Sequence, residues 1–249
     1  MAERINSATR ILRVLSAIPP IHANKSAVTV WASIFQVEAK GSHREAREVS
    51  ERLVLLCAET DKVRAALMEM KLGEDVYVPG LDALEGAFSS LNLAQQWPNV
   101  QQYLRPEVFT TLRFARDLMP DEESPLPAPD VEEVSRMVAE LIDSLPGSTL
   151  PPDVRDFVER NARLIHEALR RYPIAGLAAL REASAQGAIQ LFEMKDAVVE
   201  HSGAQEISLL GKLWTKLNGL IEQGTKVEKA YQLCRKTWKA VEWISDKVM

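Results

Sequence analysis

This sequence predicts an all-α protein: a multi-helix bundle of about eight to ten helices that closes with a long amphipathic one. Three observations predict it. Apolar residues recur at steps of three and four along most of the chain, the spacing that lines one face of an α-helix. Proline, glycine and short polar clusters fall between these periodic stretches, where helices start and stop. No period of about 20–50 residues repeats, which favours a bundle over a repeat array.

The first element follows from Ile5, Ala8, Ile11, Leu12, Leu15 and Ile18, which share one helical face before Pro19 and Pro20 stop it. The same stretch contains arginines and is amphipathic, as a transit peptide is, but a first helix accounts for it better. In "NKSAVTVWASIFQVEAK", Val28, Trp31 and Phe35 form a stripe with Ile34 and Val37 beside it. β-Branched residues make a strand the competing reading there, and the spacing favours helix. Ser42-His43-Arg44-Glu45 reads as a capping box opening a helix to about Leu72. Val49, Leu53, Leu56, Thr60, Val63, Leu67 and Met70 resemble a coiled-coil seam, with a core helix of a bundle the preferred reading. "GEDVYVPG" reads as a loop, and two or three shorter helices follow, with Pro98 and Pro106 at helix starts.

Residues 120–130, "PDEESPLPAPD", hold four prolines and four acids, the composition of a solvated linker. They separate an N-terminal helical region, 1–119, from an elbow region, 131–202, and a basic amphipathic helix, 203–249. Met137, Leu141 and Leu145 mark the core face of the helix after the linker, and Pro146-Gly147 ends it. Pro151-Pro152-Asp153 opens the next, whose buried stripe is Phe157, Leu164, Ile165, Ala168 and Tyr172. Pro173 is expected to break that helix and begin another carrying Ile174, Leu177 and Leu180, with Gly176 at a close helix crossing. Tyr172, Pro173 and Gly176 thus form a structural elbow.

From Ile207 to Val248 the three-and-four periodicity is the longest in the chain, as one helix or two joined near Gly224. Its stripe carries Trp214, Tyr231 and Trp238, with Trp243 one position off it, and Lys212, Lys216 and Lys239 are among its flanking bases. These seven residues are the candidate interaction site. Lysine flanks beside tryptophan suit an anionic membrane interface, a partner groove or the protein's own core equally. The acidic stretch 117–143 is an internal electrostatic mate.

Composition narrows the function classes. Hydrophobic residues make up 46% of the 249 and charged residues 26%, so the chain can bury a core without disulfides. A net charge of −5 gives no molecule-wide attraction to nucleic acid, which is not an expected partner. Cys57 and Cys234 lie inside helical patterns and read as buried thiols of a reducing compartment. No apolar run approaches the roughly 18 residues of a membrane span, so a cytoplasmic location is expected, or a peripheral membrane one through 203–249.

"GLIEQGTK" spaces two glycines like a phosphate loop, but threonine precedes lysine and no strand leads into it. His166-Glu167 begins like a zinc-protease helix, yet Arg170 stands where the second histidine belongs. His22, His43, His166 and His201 are scattered. No serine sits in a nucleophile elbow. Catalytic residues, metal and cofactor are therefore not expected.

"VWASIFQV", "SSLNLAQQW" and "SLPGSTLPPDVRDFVERNARLIHEALRRYPIAGLAALREA" together resemble all-helical bacterial accessory proteins of unknown function, carried beside mobile elements and defence genes. The resemblance spans about residues 30–187, brings no catalytic residues, and implies a shared sensing or assembly body with an exchangeable tail. The expected function is a helical protein-interaction scaffold or sensor, in an anti-phage defence locus if the resemblance holds, working with a protein partner or by self-association. The alternative is a membrane-acting effector that uses its Lys/Trp-rich C-terminal helix, and an enzyme is the least supported reading.

Overall fold

The computed structural model describes residues 4–18, 25–37 and 43–225, and it is all-α. Eleven α-helices follow in order among the described residues: α1 (Ser7–Ser16), α2 (Ala27–Ile34), α3 (His43–Glu69), α4 (Glu74–Phe88), α5 (Trp97–Gln101), α6 (Pro106–Leu118), α7 (Ala128–Ser144), α8 (Pro152–Ala175), α9 (Leu177–Glu193), α10 (Lys195–Glu200) and α11 (Gln205–Gly224). They divide into two compact units. One is built on residues up to Glu122 with Pro173–Ala175, the other on Glu123–Tyr172 and on from Gly176.

In the first unit α1 packs on α3 and α6, and α4 packs on α3 and α6. Each helix supplies the stripe its spacing implies: Ala8, Ile11 and Leu15 from α1, and Val49, Leu53, Leu56, Thr60, Val63 and Leu67 from α3 are buried. The seam residues of α3 thus face this unit's own core. Around Trp31 the rings of Phe35, Phe88 and Trp97 lie 5.5, 5.9 and 5.5 Å away by centroid, stacked against Phe35 and edge-on to the other two. The stretch around Trp31 is helical. Among the described residues its one extended feature is a bridge, Ser26 to Gln96, where the Trp97 N–H donates to the Lys25 carbonyl at 2.9 Å. Ser42 of the expected capping box lies outside the described residues.

In the second unit α7 packs on α11, and α9 on α10 and α11. The expected Leu141, Phe157, Ile165, Leu177 and Leu180 are buried in one core with Leu213, Leu217 and Ile221. Val134, Val138 and Val158 join them without having been singled out.

Three expectations are corrected. The stretch 73–80 is not a loop: α4 starts at Glu74 and runs through Pro79. Proline there removes one hydrogen bond near the helix start, while Tyr77, Leu81 and Leu84 are buried and hold the helix in place. The chain does not restart at Pro173 either. α8 continues through it to Ala175, the cost of the helical hydrogen bond that Pro173 cannot donate being offset by the burial of Ile174. The corner lies at Gly176, whose φ of 63° and ψ of −155° only glycine adopts readily. Its N–H closes α8 on the Tyr172 carbonyl at 2.9 Å. Finally, 120–130 is not wholly solvated: Glu123 is 5% exposed, and α7 begins at Ala128.

Gly176→Ala is expected to cost about 1–3 kcal/mol, because a Cβ is strained at that backbone geometry. Urea denaturation followed by far-UV circular dichroism measures it, and an unchanged midpoint would contradict the assignment of the corner.

Candidate functional site

Two features stand apart from ordinary helix packing, one in each unit. The first is a buried ion network in the first unit. Asn6 caps α1 by accepting the Thr9 N–H at 3.1 Å, which starts the helix so that Ser7 and Arg10 share a face. Arg10 is 3% exposed, and Glu59 of α3, at 1%, takes its Nη2 and Nε on one oxygen at 2.5 and 3.0 Å. Glu122, just beyond α6, takes Nη2 as well. The Ser7 N–H and hydroxyl donate to the other Glu122 oxygen at 2.9 and 2.8 Å, and Lys62 donates to Glu59 at 2.6 Å. Backbone contacts extend the clasp: the Glu122 N–H donates to the Ile5 carbonyl at 2.8 Å, and the Ile5 N–H to Asp121 at 3.2 Å.

Burial works to raise the Glu122 carboxyl, but the Arg10 charge and the hydrogen bonds from Arg10 and Ser7 win, and it lies below its ordinary value. Arg10 is likewise raised: burial opposes its charge, and Glu59 and Glu122 more than compensate. Each carboxylate already holds a cation, so the network acts as a fastener of α1, α3 and the segment after α6.

The second feature is the outer face of α9. Its inner face places Leu180, Ala183, Gly187 and Leu191 in the core of the second unit. α11 runs antiparallel beside it, as three contacts fix: Gly187 under Trp214, Ser184 to Asn218 at 2.7 Å, and Arg181 to Thr225 at 2.9 Å. Glu123 accepts the Leu177 N–H at 2.6 Å, a carboxylate at the positive end of α9. With the helix so oriented, Ala185, Ile189 and Phe192 project outward, and Ile189 and Phe192 are 62% and 77% exposed. Between Glu182 and Glu193 no residue is charged. The acids Glu182, Glu193 and Asp196 bound this face and are exposed; Glu182 lies 3.4 Å from Arg171, and Lys195 stands between the other two in sequence.

The expected interaction residues are placed as follows. Trp214 is not on the surface: it is 4% exposed and its ring covers Gly187. Lys216 pairs with Glu133 at 2.6 Å and lies 3.8 Å from Asp130, both on α7, within the acidic stretch named as its mate. The described part of the C-terminal pattern therefore docks on its own core. Lys212 is exposed. Tyr231, Trp238, Trp243 and Lys239 lie outside the described residues. Gly219 and Gly224 lie within α11, so the backbone groups of "GLIEQGTK" up to Gly224 are spent in a helix. His201 is held at a helix end, its Nδ1 2.9 Å from the Ala197 carbonyl. Among the described residues no group of three His, Cys, Asp or Glu side chains is placed to hold a metal ion, and no helix is long and apolar enough to cross a membrane.

Sequence reasoning missed both features. Ile189 and Phe192 lie off the stripe that Leu177, Leu180 and Leu191 define, and the ten uncharged residues 183–192 were the available signal. Glu122 was hidden in a stretch whose composition reads as solvated. No family model, no curated protein and no solved structure matches this chain.

Two outcomes are expected. The Glu122 contribution to stability is present above the ordinary carboxyl value of 4.5 and is lost as pH falls through its lower folded value. Glu122→Gln should therefore lower the urea midpoint at neutral pH and flatten its decline below about pH 4.5. Parallel acid limbs for the two proteins would contradict that. At Gly187 an added Cβ would lie 2.1 Å from the Trp214 ring. Gly187→Ala should cost about 1–3 kcal/mol by overpacking, read as a lower melting temperature with altered tryptophan emission.

Proposed function

We propose that this chain is a helical protein-interaction component that docks an amphipathic helix with basic flanks on the outer face of α9. The observation that carries this reading is the pair of exposed side chains Ile189 and Phe192 on an uncharged stretch of helix. A phenylalanine brought from water into a packed contact contributes about 1.5–3 kcal/mol, so a large apolar ring left outside is a candidate anchor. A helix surface of one ridge with an alanine beside it accepts the ridge of another helix. Helix docking of this kind is a recurrent mode of recognition. Glu193 and Asp196, at one end of the face, favour bases at the flank of the incoming helix and disfavour acids, while Glu182 at the other end already lies 3.4 Å from Arg171.

The test is fluorescence anisotropy with a labelled peptide of Leu, Trp and Lys at helical spacing. The full-length chain carries Tyr231→Asp and Trp238→Asp, so that its own amphipathic C-terminal stretch does not compete. Saturable binding is expected, weakened at least tenfold by adding Phe192→Asp with helicity unchanged, and weakened by salt. A peptide that does not bind, or that binds the Phe192→Asp protein as well, would overturn the reading.

A further inference from the structure

We propose that the helix docked on α9 is α9 of a second copy of this chain, lying antiparallel in a two-fold dimer. This rests on α9 being a docking surface, and three observations carry it further.

The first is what α9 itself presents. Its outer ridge of Ala185, Ile189 and Phe192 has a base at either end, Arg181 before it and Lys195, the first residue of α10, after it. It therefore meets the description of the incoming helix, an apolar ridge with basic flanks.

The second is register. In an antiparallel pair with its two-fold axis between Ala188 and Ile189, residues equally far from the axis on opposite sides meet. Ala185 lies three positions before Ala188, and Phe192 three after Ile189, so each ring seats on the small alanine of the other copy. Six positions out, Glu182 stands opposite Lys195, an acid against a base. Seven positions out, Arg181 stands opposite Asp196, a base against an acid, and Glu193 falls opposite Ser184. A shallow crossing of about 20° keeps these outer pairs opposed. A parallel pair would instead set every one of these charges against its own kind.

The third is an unbalanced charge. Arg181 is half-buried and gives one hydrogen bond, to the Thr225 hydroxyl at 2.9 Å, while its Nε is buried without an acceptor. Among the described residues no carboxylate pairs with it. A guanidinium in that state at the border of an apolar face gains from an acid carried in by whatever covers the face. Asp196 of the other copy is that acid, and it is exposed. Two chains of net charge −5 repel one another over most of their surfaces, so a face whose charges are self-complementary is where they meet. A single helix pair lies at the small end of specific interfaces, under about 1,200 Å², so the dimer exchanges with monomer at a dissociation constant on the order of micromolar.

Sedimentation velocity of the full-length chain between about 1 and 100 μM reads the dimer directly. Wild type should pass from monomer to dimer over that range. Asp196→Arg sets two cations together twice in each dimer and should weaken it about tenfold, and adding Arg181→Asp should recover most of the loss. A dimer indifferent to Asp196→Arg would overturn the register, and one that survives Phe192→Asp would overturn the proposal. Cross-linking tests the direction of the helices without changing any charge at the axis. In a Cys57→Ser, Cys234→Ser chain, Ile189→Cys beside the axis should give a covalent dimer on mild oxidation. Glu182→Cys should not, because in an antiparallel pair the two thiols lie about 20 Å apart along the helices. Covalent dimers at both positions would mean a parallel pair, and at neither would mean no such pair; each overturns the proposal. A chain that stays monomeric at 100 μM yet binds the Leu/Trp/Lys peptide through Phe192 would sink the second copy and leave the docking surface intact. A monomer that binds no peptide would sink the docking surface itself.

Discussion

Arg10 is the constraint around which the first unit is organised. A guanidinium removed from water is tolerable only where opposite charges and hydrogen-bond acceptors surround it. Glu59 comes from α3, 49 positions along the chain, and Glu122 from 112 positions along, so satisfying one arginine brings three separate segments together. Pairs of this kind contribute little net stability compared with well-packed apolar residues, yet breaking them is costly. Their effect here is on specificity: α1 can slide along α3 and α6 only by breaking the pairs of Arg10 with Glu59 and Glu122.

The same logic marks the peptide bond between Glu122 and Glu123, one of the places where the chain passes from one unit to the other. Glu122 holds Arg10 and Ser7 in the first unit, and Glu123 holds the Leu177 N–H at the start of α9 in the second. Two adjacent carboxylates, identical in chemistry, each serve a different core. Composition cannot distinguish this from a solvated acidic run, because the partners lie more than 50 positions away along the chain. Hence the segment 120–130 reads as a linker although two of its acids are anchored.

The legible and illegible parts separate along the same physical line. Helix existence was legible, because burying one face imposes the three-and-four spacing on every element large enough to have a core side; Leu53, Leu56 and Val63 are where that spacing puts them. Boundaries governed by proline were legible only at helix starts, as at Pro106, where the missing N–H is an orphan in any case. Inside a helix the cost of proline competes with burial, and at Pro79 and Pro173 burial won. The corner fell instead at Gly176, since its backbone geometry excludes side chains outright whereas proline only penalises. In the candidate site, Trp214 was readable as an aromatic on a stripe, but a stripe does not say what it faces. Gly187 opposite it leaves the gap the indole fills, and that pairing of a missing side chain with a large one is visible only in three dimensions.

α9 connects these points. Glu123 fixes one end of it, Gly187 lets α11 approach closely, and two polar pairs to α11, Arg181 with Thr225 and Ser184 with Asn218, set rotation about the helix axis. With rotation fixed, Ile189 and Phe192 cannot turn inward, although either would gain by burial. A helix held by so many specific contacts in an orientation that leaves its largest ring exposed has its outer face determined by its inner one. The apolar residues at 189 and 192 then serve no need of the fold of the described residues, and their gain in burial is open to whatever helix comes to cover them. In the docking we propose, that helix is one that arrives with basic flanks.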